Sequence, residues 1–301
     1  MSLQVHLIDL VLRATLKRRF KRDPSIAQVV KMFADMERDP AKLPAGVTCE
    51  PSTLGGVPCE RLATAAAHRT RALLYLHGGA FVAGSPRSHR AITGRLAAGL
   101  GVSVYSLDYR LAPAHLPPAA LDDCFAAHGA LLDAGFEVVV AGDSAGGTLA
   151  LSLPLRLSRE GVPLPAAVSA ISALADLTLS SPSVRDNASA EAVFCPALFE
   201  TIVANAYGGI ELRDPMVSPM FGDLSNYPPV LLQVGERELL RDDSRRFAEA
   251  LNAAGRACTL EVVPKVWHVW HLAAGMLPEA DAALERMSAF IQKSWRAPAA
   301  P

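Results

Sequence analysis

The chain reads as an α/β protein, with a mostly parallel sheet covered by helices on both faces. Two observations predict this. From about residue 47, short β-type runs alternate with helical ones, which is the rhythm of strand and crossover helix. The β-type runs are also apolar without interruption, as suits strands buried on both faces of a sheet.

Two helical segments precede that alternation. Leu3, Leu7, Leu10, Val11 and Ala14 recur at helical spacing, as do Ile26, Val29, Val30, Phe33 and Met36. Each stripe requires an apolar surface to lie on. In the second segment Asp23 is placed to cap the first turn, Pro24 to open it, and Asp39-Pro40 to stop it. The basic stretch Lys17 to Asp23 reads as a solvated helix end. Strands are then expected at ALLYLH (72–77), VSVYSLD (102–108), EVVVAGD (137–143), AAVSAIS (166–172), VLLQVG (230–235) and CTLEVVP (258–264). Helices are expected near 86–100, 118–133, 145–160, 192–206, 242–254 and 279–294. The stretch 176–228 breaks the alternation, and so long an excursion between strands covers or shapes a pocket.

The 301 residues are half hydrophobic and hold no Gly/Ser-rich linker, which favours one α/β domain with an accessory N-terminal segment. The 29 Lys and Arg nearly cancel the 30 Asp and Glu. No global field therefore draws the protein to nucleic acid or an acidic membrane, and small molecules are the expected partners. Cys49, Cys59, Cys124, Cys195 and Cys258 are odd in number and lack zinc-binding spacing, which predicts reduced thiols, a cytoplasmic location and no metal. The apolar start is interrupted by His6, Asp9 and Arg13, so it reads as neither a signal peptide nor a membrane span.

The chemistry concentrates in EVVVAGDSAGGTLALSL. A strand runs into Gly142-Asp143-Ser144-Ala145-Gly146 and a helix leaves at once, the context in which G-x-S-x-G presents a nucleophile at a sharp turn. Serine needs a base within hydrogen-bond reach, and the base needs an acid to orient it. In an open α/β sheet both should follow the carboxyl ends of later strands. After VLLQVG stand Glu236, Glu238, Asp242 and Asp243. Glu238 is the expected acid, Glu236 the reserve, and the two aspartates fit a helix start. After CTLEVVP stand His268 and His271. His268, flanked by Trp267 and Trp270 whose rings could wall a site, is the expected base. YLHGGAFVAGS, after an earlier strand, supplies main-chain donors for an oxyanion: Gly78 and Gly79, with Ala145 after the nucleophile and Ala80 as a further candidate.

With HGGAFVAGS, DYRLAPAHLPPAALDD, GDSAGG, DPMVSP, GERELLRDD and HVWH in this order, the chain resembles the hormone-sensitive-lipase-like (bacterial family IV) carboxylesterases of the α/β-hydrolase superfamily, over residues 70 to 292. The resemblance implies an α/β-hydrolase fold of about eight strands, with an N-terminal helical cap (1–44) over a catalytic domain (45–301) to which 176–228 adds pocket wall. It implies hydrolysis of short acyl esters through an acyl-enzyme, with Ser144 as nucleophile, His268 as base and Glu238 where relatives carry Asp or, less often, Glu. It implies no cofactor, and a homodimer through a sheet edge. The family's third glycine is Ala80 here, which can serve if its φ is negative. An amidase would use the same triad, whereas a receptor on this fold typically loses the base that His268 would supply. A neutral His268 predicts activity rising through roughly pH 6 to 7.

Overall fold

The computed structural model describes residues 2–295. Its core is one eight-stranded sheet in the order β1-β2-β4-β3-β5-β6-β7-β8. The strands are β1 (Val47–Leu54), β2 (Val57–Thr64), β3 (His68–Leu76), β4 (Val102–Leu107), β5 (Glu137–Asp143), β6 (Ala167–Ile171), β7 (Val230–Gly235) and β8 (Cys258–Val263). The six predicted strands all form and pair parallel to one another. Strands β4, β5, β6 and β7 are buried along their whole length, apart from Glu137, which fits their unbroken apolar runs.

The two strands that were not singled out are β1 and β2, an antiparallel hairpin on the sheet edge. Strand β1 alternates half-exposed polar positions and contains Pro51, a residue that an edge strand tolerates. Such a strand carries little apolar signal.

Helices α1 (Leu3–Leu12), α2 (Arg18–Arg22) and α3 (Ile26–Arg38) form the N-terminal segment, with a π-helical turn at Arg13–Lys17 joining the first two. Then follow α4 (Arg90–Leu100), α5 (Ala119–Asp133), α6 (Ser144–Arg159), the short α7 (Ser183–Asp186), α8 (Pro196–Tyr207), α9 (Arg241–Ala253) and α10 (Pro278–Ser294). Among the described residues no helix is long and apolar enough to cross a membrane.

Three expectations for the N-terminal segment are corrected. The stripe expected to bury is the exposed one: Leu3 is 87%, Leu7 65%, Leu10 64% and Val11 51% exposed. Helix α1 carries apolar residues on more than one side, and it turns Val5, Ile8 and Leu12 to the body instead. Second, Asp23 does not cap α3. The N-cap is Ser25, and Asp23 accepts from Gln28 Nε2 at 2.7 Å. Third, the basic stretch is not all solvated. Phe20 is buried, and so is Lys17, whose ammonium donates to the carbonyls of Ala188 (2.7 Å) and Glu191. Arg13 beside it donates to the carbonyls of Ser189 and Ala190. The N-terminal helices thus clasp the 188–191 loop by its carbonyls.

Candidate active site

Parallel strands put their carboxyl ends along one edge, and every candidate residue lies there. Neighbouring strands β3 and β5 deliver HGGA and GDSAG side by side, with Leu76 in register with Gly142. The turn after β5 has no room for side chains at its glycines. A Cβ on Gly146 would sit 2.0 Å from the Leu76 carbonyl oxygen, and one on Gly142 2.4 Å from that of Gly146. Ser144 consequently takes φ +51°, a left-handed conformation that costs about 1–3 kcal/mol in a non-glycine residue.

Ser144 Oγ lies 2.9 Å from His268 Nε2, and His268 Nδ1 lies 2.9 Å from Glu238 Oε2. Glu238 is fully buried. Its Oε1 accepts from the Gly235 N–H at 2.6 Å and the Ser172 hydroxyl at 2.8 Å, so the carboxylate is fixed at both oxygens. Burial alone would push the His268 pKa down. The hydrogen bond and charge of Glu238, with Glu191 and Asp143 adding, outweigh burial, and the ring titrates above its ordinary 6.5. This moves the expected pH midpoint up from the value of an unperturbed histidine.

The reserve residues fall elsewhere. Glu236 is exposed. His271 is fully buried in a 3₁₀ turn, hydrogen-bonded to Gln233 Oε1 at 2.9 Å, and burial lowers its pKa to about 3. Asp242 and Asp243 occupy the first turn of α9, where neither side chain caps the helix. Trp267 lines the pocket, whereas Trp270 is buried and donates its indole N–H to the Glu279 carbonyl at 3.3 Å.

The oxyanion loop differs in two details from expectation. Gly78 directs its N–H to Asp143 Oδ1 at 3.1 Å and does not line the pocket. A Cβ there would lie 2.3 Å from the same carboxylate, so this glycine serves close packing. Gly79, Ala80 and Ala145 do line the pocket, and among the described residues the Gly79 and Ala80 N–H groups have no acceptor. Ala145 opens α6, where first-turn amides lack intrahelical partners. Ala80 has φ +59° and Phe81 +64°, because the loop curls back so that Val82 and Ala83 both donate to the Gly79 carbonyl. The condition of a negative φ is not met, and Ala80 stays a candidate donor only because its N–H is without an acceptor among the described residues.

Several residues around the site were not foreseen. The Asp143 carboxylate is buried between the Tyr75 hydroxyl (2.7 Å), the Gly78 N–H and the His89 ring (3.3 Å), and so ties the nucleophile turn to the oxyanion loop. Burial works to raise its pKa, but His89 and Tyr75 outweigh that and lower it. Asp143 stood inside a recognised motif and could have been singled out. Glu191 carried no such signal. It is fully buried in the excursion, accepts the N–H groups of Ala192 and Val193 and, at 3.3 Å, of Leu239, and is raised in pKa by burial and by the Glu238 charge. The Phe194 ring meets His268 edge-on at 5.0 Å and Phe20 at 5.5 Å.

A pocket of about 310 Å³ opens on Ser144. Ile8, Leu12, Leu16, Met32, Phe33 and Met36 wall it from the N-terminal helices, and Val193, Phe194, Phe199 and Ile202 from the excursion. Asp143 and His268 are its only ionisable lining residues among those described. Among the described residues no cluster of side chains is arranged to hold a metal ion.

Comparison with known proteins agrees with this fold. Residues 73–272 match the pattern of a family described as alpha/beta hydrolase fold. An acetyl-hydrolase of Streptomyces hygroscopicus is 40% identical over 225 residues, 74% of this chain and 75% of that protein. An esterase of Acinetobacter venetianus is 37% identical over 248 residues, 81% and 82% of the two chains. Among solved structures, a hormone-sensitive lipase from a metagenome library superposes with TM-score 0.90 at 34% identity, covering 96% of this chain and 98% of that one. EstE5, soaked with p-nitrophenyl butyrate, superposes with TM-score 0.91 at 33% identity, covering 99% and 100%.

Proposed function

The chain belongs to the α/β-hydrolase family, on its hormone-sensitive-lipase-like branch of carboxylic ester hydrolases, and from that premise we propose that it cleaves short acyl esters with Ser144, His268 and Glu238. The observation that carries the reading is the continuous line of contacts from Ser144 Oγ through the imidazole to Glu238, each 2.9 Å.

With Nδ1 donating its proton to Glu238, Nε2 is left to accept the serine proton as Oγ attacks the ester carbonyl. The tetrahedral oxyanion then lies against the N–H groups of Gly79, Ala80 and Ala145. Each such donor is worth about a hundredfold to a thousandfold in turnover. His268 returns the proton to the departing alcohol, and a second cycle with water frees the acid and restores Ser144. Every proton is passed by the imidazole, and no cofactor enters.

The substrate class follows from the walls. An apolar pocket of about 310 Å³ suits a small neutral ester and leaves no counter-charge for an ionised one. Residues 1–44 act as a cap in this reading, closing the pocket with Met32, Phe33 and Met36. EstE5 is described with p-nitrophenyl butyrate, which makes that ester the first to try. Ser144→Ala should abolish hydrolysis of p-nitrophenyl butyrate and fluorophosphonate labelling while leaving the circular dichroism spectrum intact. Turnover retained by this variant would refute the assignment.

A further inference from the structure

The outward face of the first helices has a composition that the esterase site does not use. Exposed positions recur along it as Leu3, Leu7, Leu10 and Val11, then Ala14 and Thr15, then Arg18, Lys21 and Arg22. The first half of one solvent-facing stripe is apolar and the second half is cationic. No acidic residue is exposed between Leu3 and Arg22: Asp9, the sole carboxylate there, is largely covered and paired with Arg13 at 2.7 Å. Four large apolar side chains more than half exposed on one helix mark an interaction surface.

The stripe also adjoins the pocket. Ser2, which caps α1, donates its hydroxyl to Glu279 Oε2 at 2.8 Å, beside the loop that carries Met276. Met276 is 71% exposed and also lines the pocket, so it stands on the rim. On the inner side of the same helix Ile8 and Leu12 line the pocket wall. Helix α1 thus has the pocket wall on its inner side and the exposed apolar stripe on its outer side, with its N-terminus tied beside the rim.

We propose that this face docks on an anionic lipid surface, with Leu3, Leu7, Leu10 and Val11 entering the headgroup–acyl boundary and Arg18, Lys21 and Arg22 meeting lipid phosphates. An interfacial helix needs this combination, apolar area to partition and cations to hold it on a negatively charged surface. Charge complementarity selects lipid over a second copy of the chain. A two-fold pairing along the whole stripe would set cations against cations or cations against leucines. A pairing of the apolar halves alone would bury four side chains from each copy and leave the cations of both copies without a partner. Docking there presents the pocket rim to apolar esters dissolved in the lipid.

The test uses flotation with vesicles of phosphatidylcholine, with and without phosphatidylglycerol, on the full chain carrying Ser144→Ala so that binding is read without turnover. The protein should float with the mixed vesicles and much less with phosphatidylcholine alone. The triple variant Arg18→Gln/Lys21→Gln/Arg22→Gln should weaken binding on the order of 100-fold, and Leu7→Gln/Leu10→Gln at least about tenfold. In the Ser144 background both sets should hydrolyse p-nitrophenyl acetate in solution at the parent rate, which shows that they fold. Absence of flotation with mixed vesicles, or variants that bind as the parent does, would overturn the proposal. So would a lipid-free dimer that Leu7→Gln/Leu10→Gln splits. A Ser144→Ala variant that keeps its turnover would instead sink the esterase assignment and leave the docking result standing.

Discussion

Glu238→Gln probes the proposed site where it is most tightly determined. The Gly235 N–H, 2.6 Å from Oε1, is fixed and can only donate, so the oxygen of the introduced amide must take the Oε1 place. The amide nitrogen then faces His268 Nδ1, where Oε2 now stands at 2.9 Å. Two donors cannot face each other, so the ring must move its proton to Nε2, the atom 2.9 Å from Ser144 Oγ. A ring in that tautomer has no lone pair on the nitrogen that faces Ser144, so it cannot take the serine proton. Holding a serine triad in the wrong tautomer costs about 10,000-fold in kcat, which at about 1.36 kcal/mol per decade is roughly 5.4 kcal/mol of transition-state stabilisation. The variant also removes the largest influences that raise the His268 pKa and leaves burial, which lowers it. Neutral imidazole is the working form. The parent should therefore lose activity as pH falls through a midpoint above the ordinary 6.5, and the variant's residual activity should persist to lower pH. The measurement is kcat for p-nitrophenyl butyrate across that acid limb, with an unfolding curve to show that the protein is intact. A folded variant with kcat within about tenfold of the parent would refute the orienting role of Glu238.

Two further outcomes follow from packing. Gly146→Ala places a Cβ 2.0 Å from the Leu76 carbonyl oxygen and 2.4 Å from that of His77. Neither backbone can retreat without leaving the sheet, so urea denaturation should register a loss of at least about 3 kcal/mol, and an unchanged midpoint would contradict the packing of the turn. Lys17→Met removes the donor to the Ala188 carbonyl, while that of Glu191 keeps Arg13, and an unpaired buried acceptor costs about 1–3 kcal/mol. Because Glu191 braces Leu239, next to Glu238, kcat should fall more than KM rises; equal kcat with raised KM would reduce the clasp to a pocket wall.

The middle of the sheet was legible because β4 to β7 are buried on both faces, so that residues such as Val138–Val140 and Leu231–Leu232 leave an apolar run that no turn or surface helix produces. Strand β8, expected to be buried as well, is an edge strand that is partly exposed along its whole length, as Thr259 and Glu261 in it suit. Ser144, Glu238 and His268 were legible as candidates because each follows a strand end directly, and a strand end in a parallel sheet has one address. What escaped notice depends on distant segments meeting. Glu191 has no motif around it, and Lys17 looks like any lysine in a basic run until the 188–191 carbonyls arrive above it. The Gly78 N–H was assigned to the oxyanion because the motif alone does not reveal that Asp143 reaches it first. Helix α1 misled for another reason: it has one apolar stripe in Leu3, Leu7, Leu10 and Val11 and another in Val5, Ile8 and Leu12, and spacing alone does not tell which of the two faces inward.

The proposed base enters the chain only after β8, more than a hundred positions beyond the serine it lies beside. A polypeptide still being synthesised can close the nucleophile turn against the neighbouring amide loop long before any imidazole reaches it. Newly made protein on the ribosome would therefore be chemically silent, and hydrolysis would begin only when β8 has docked on β7. The first turnover to appear after release of the full chain would time the completion of the sheet.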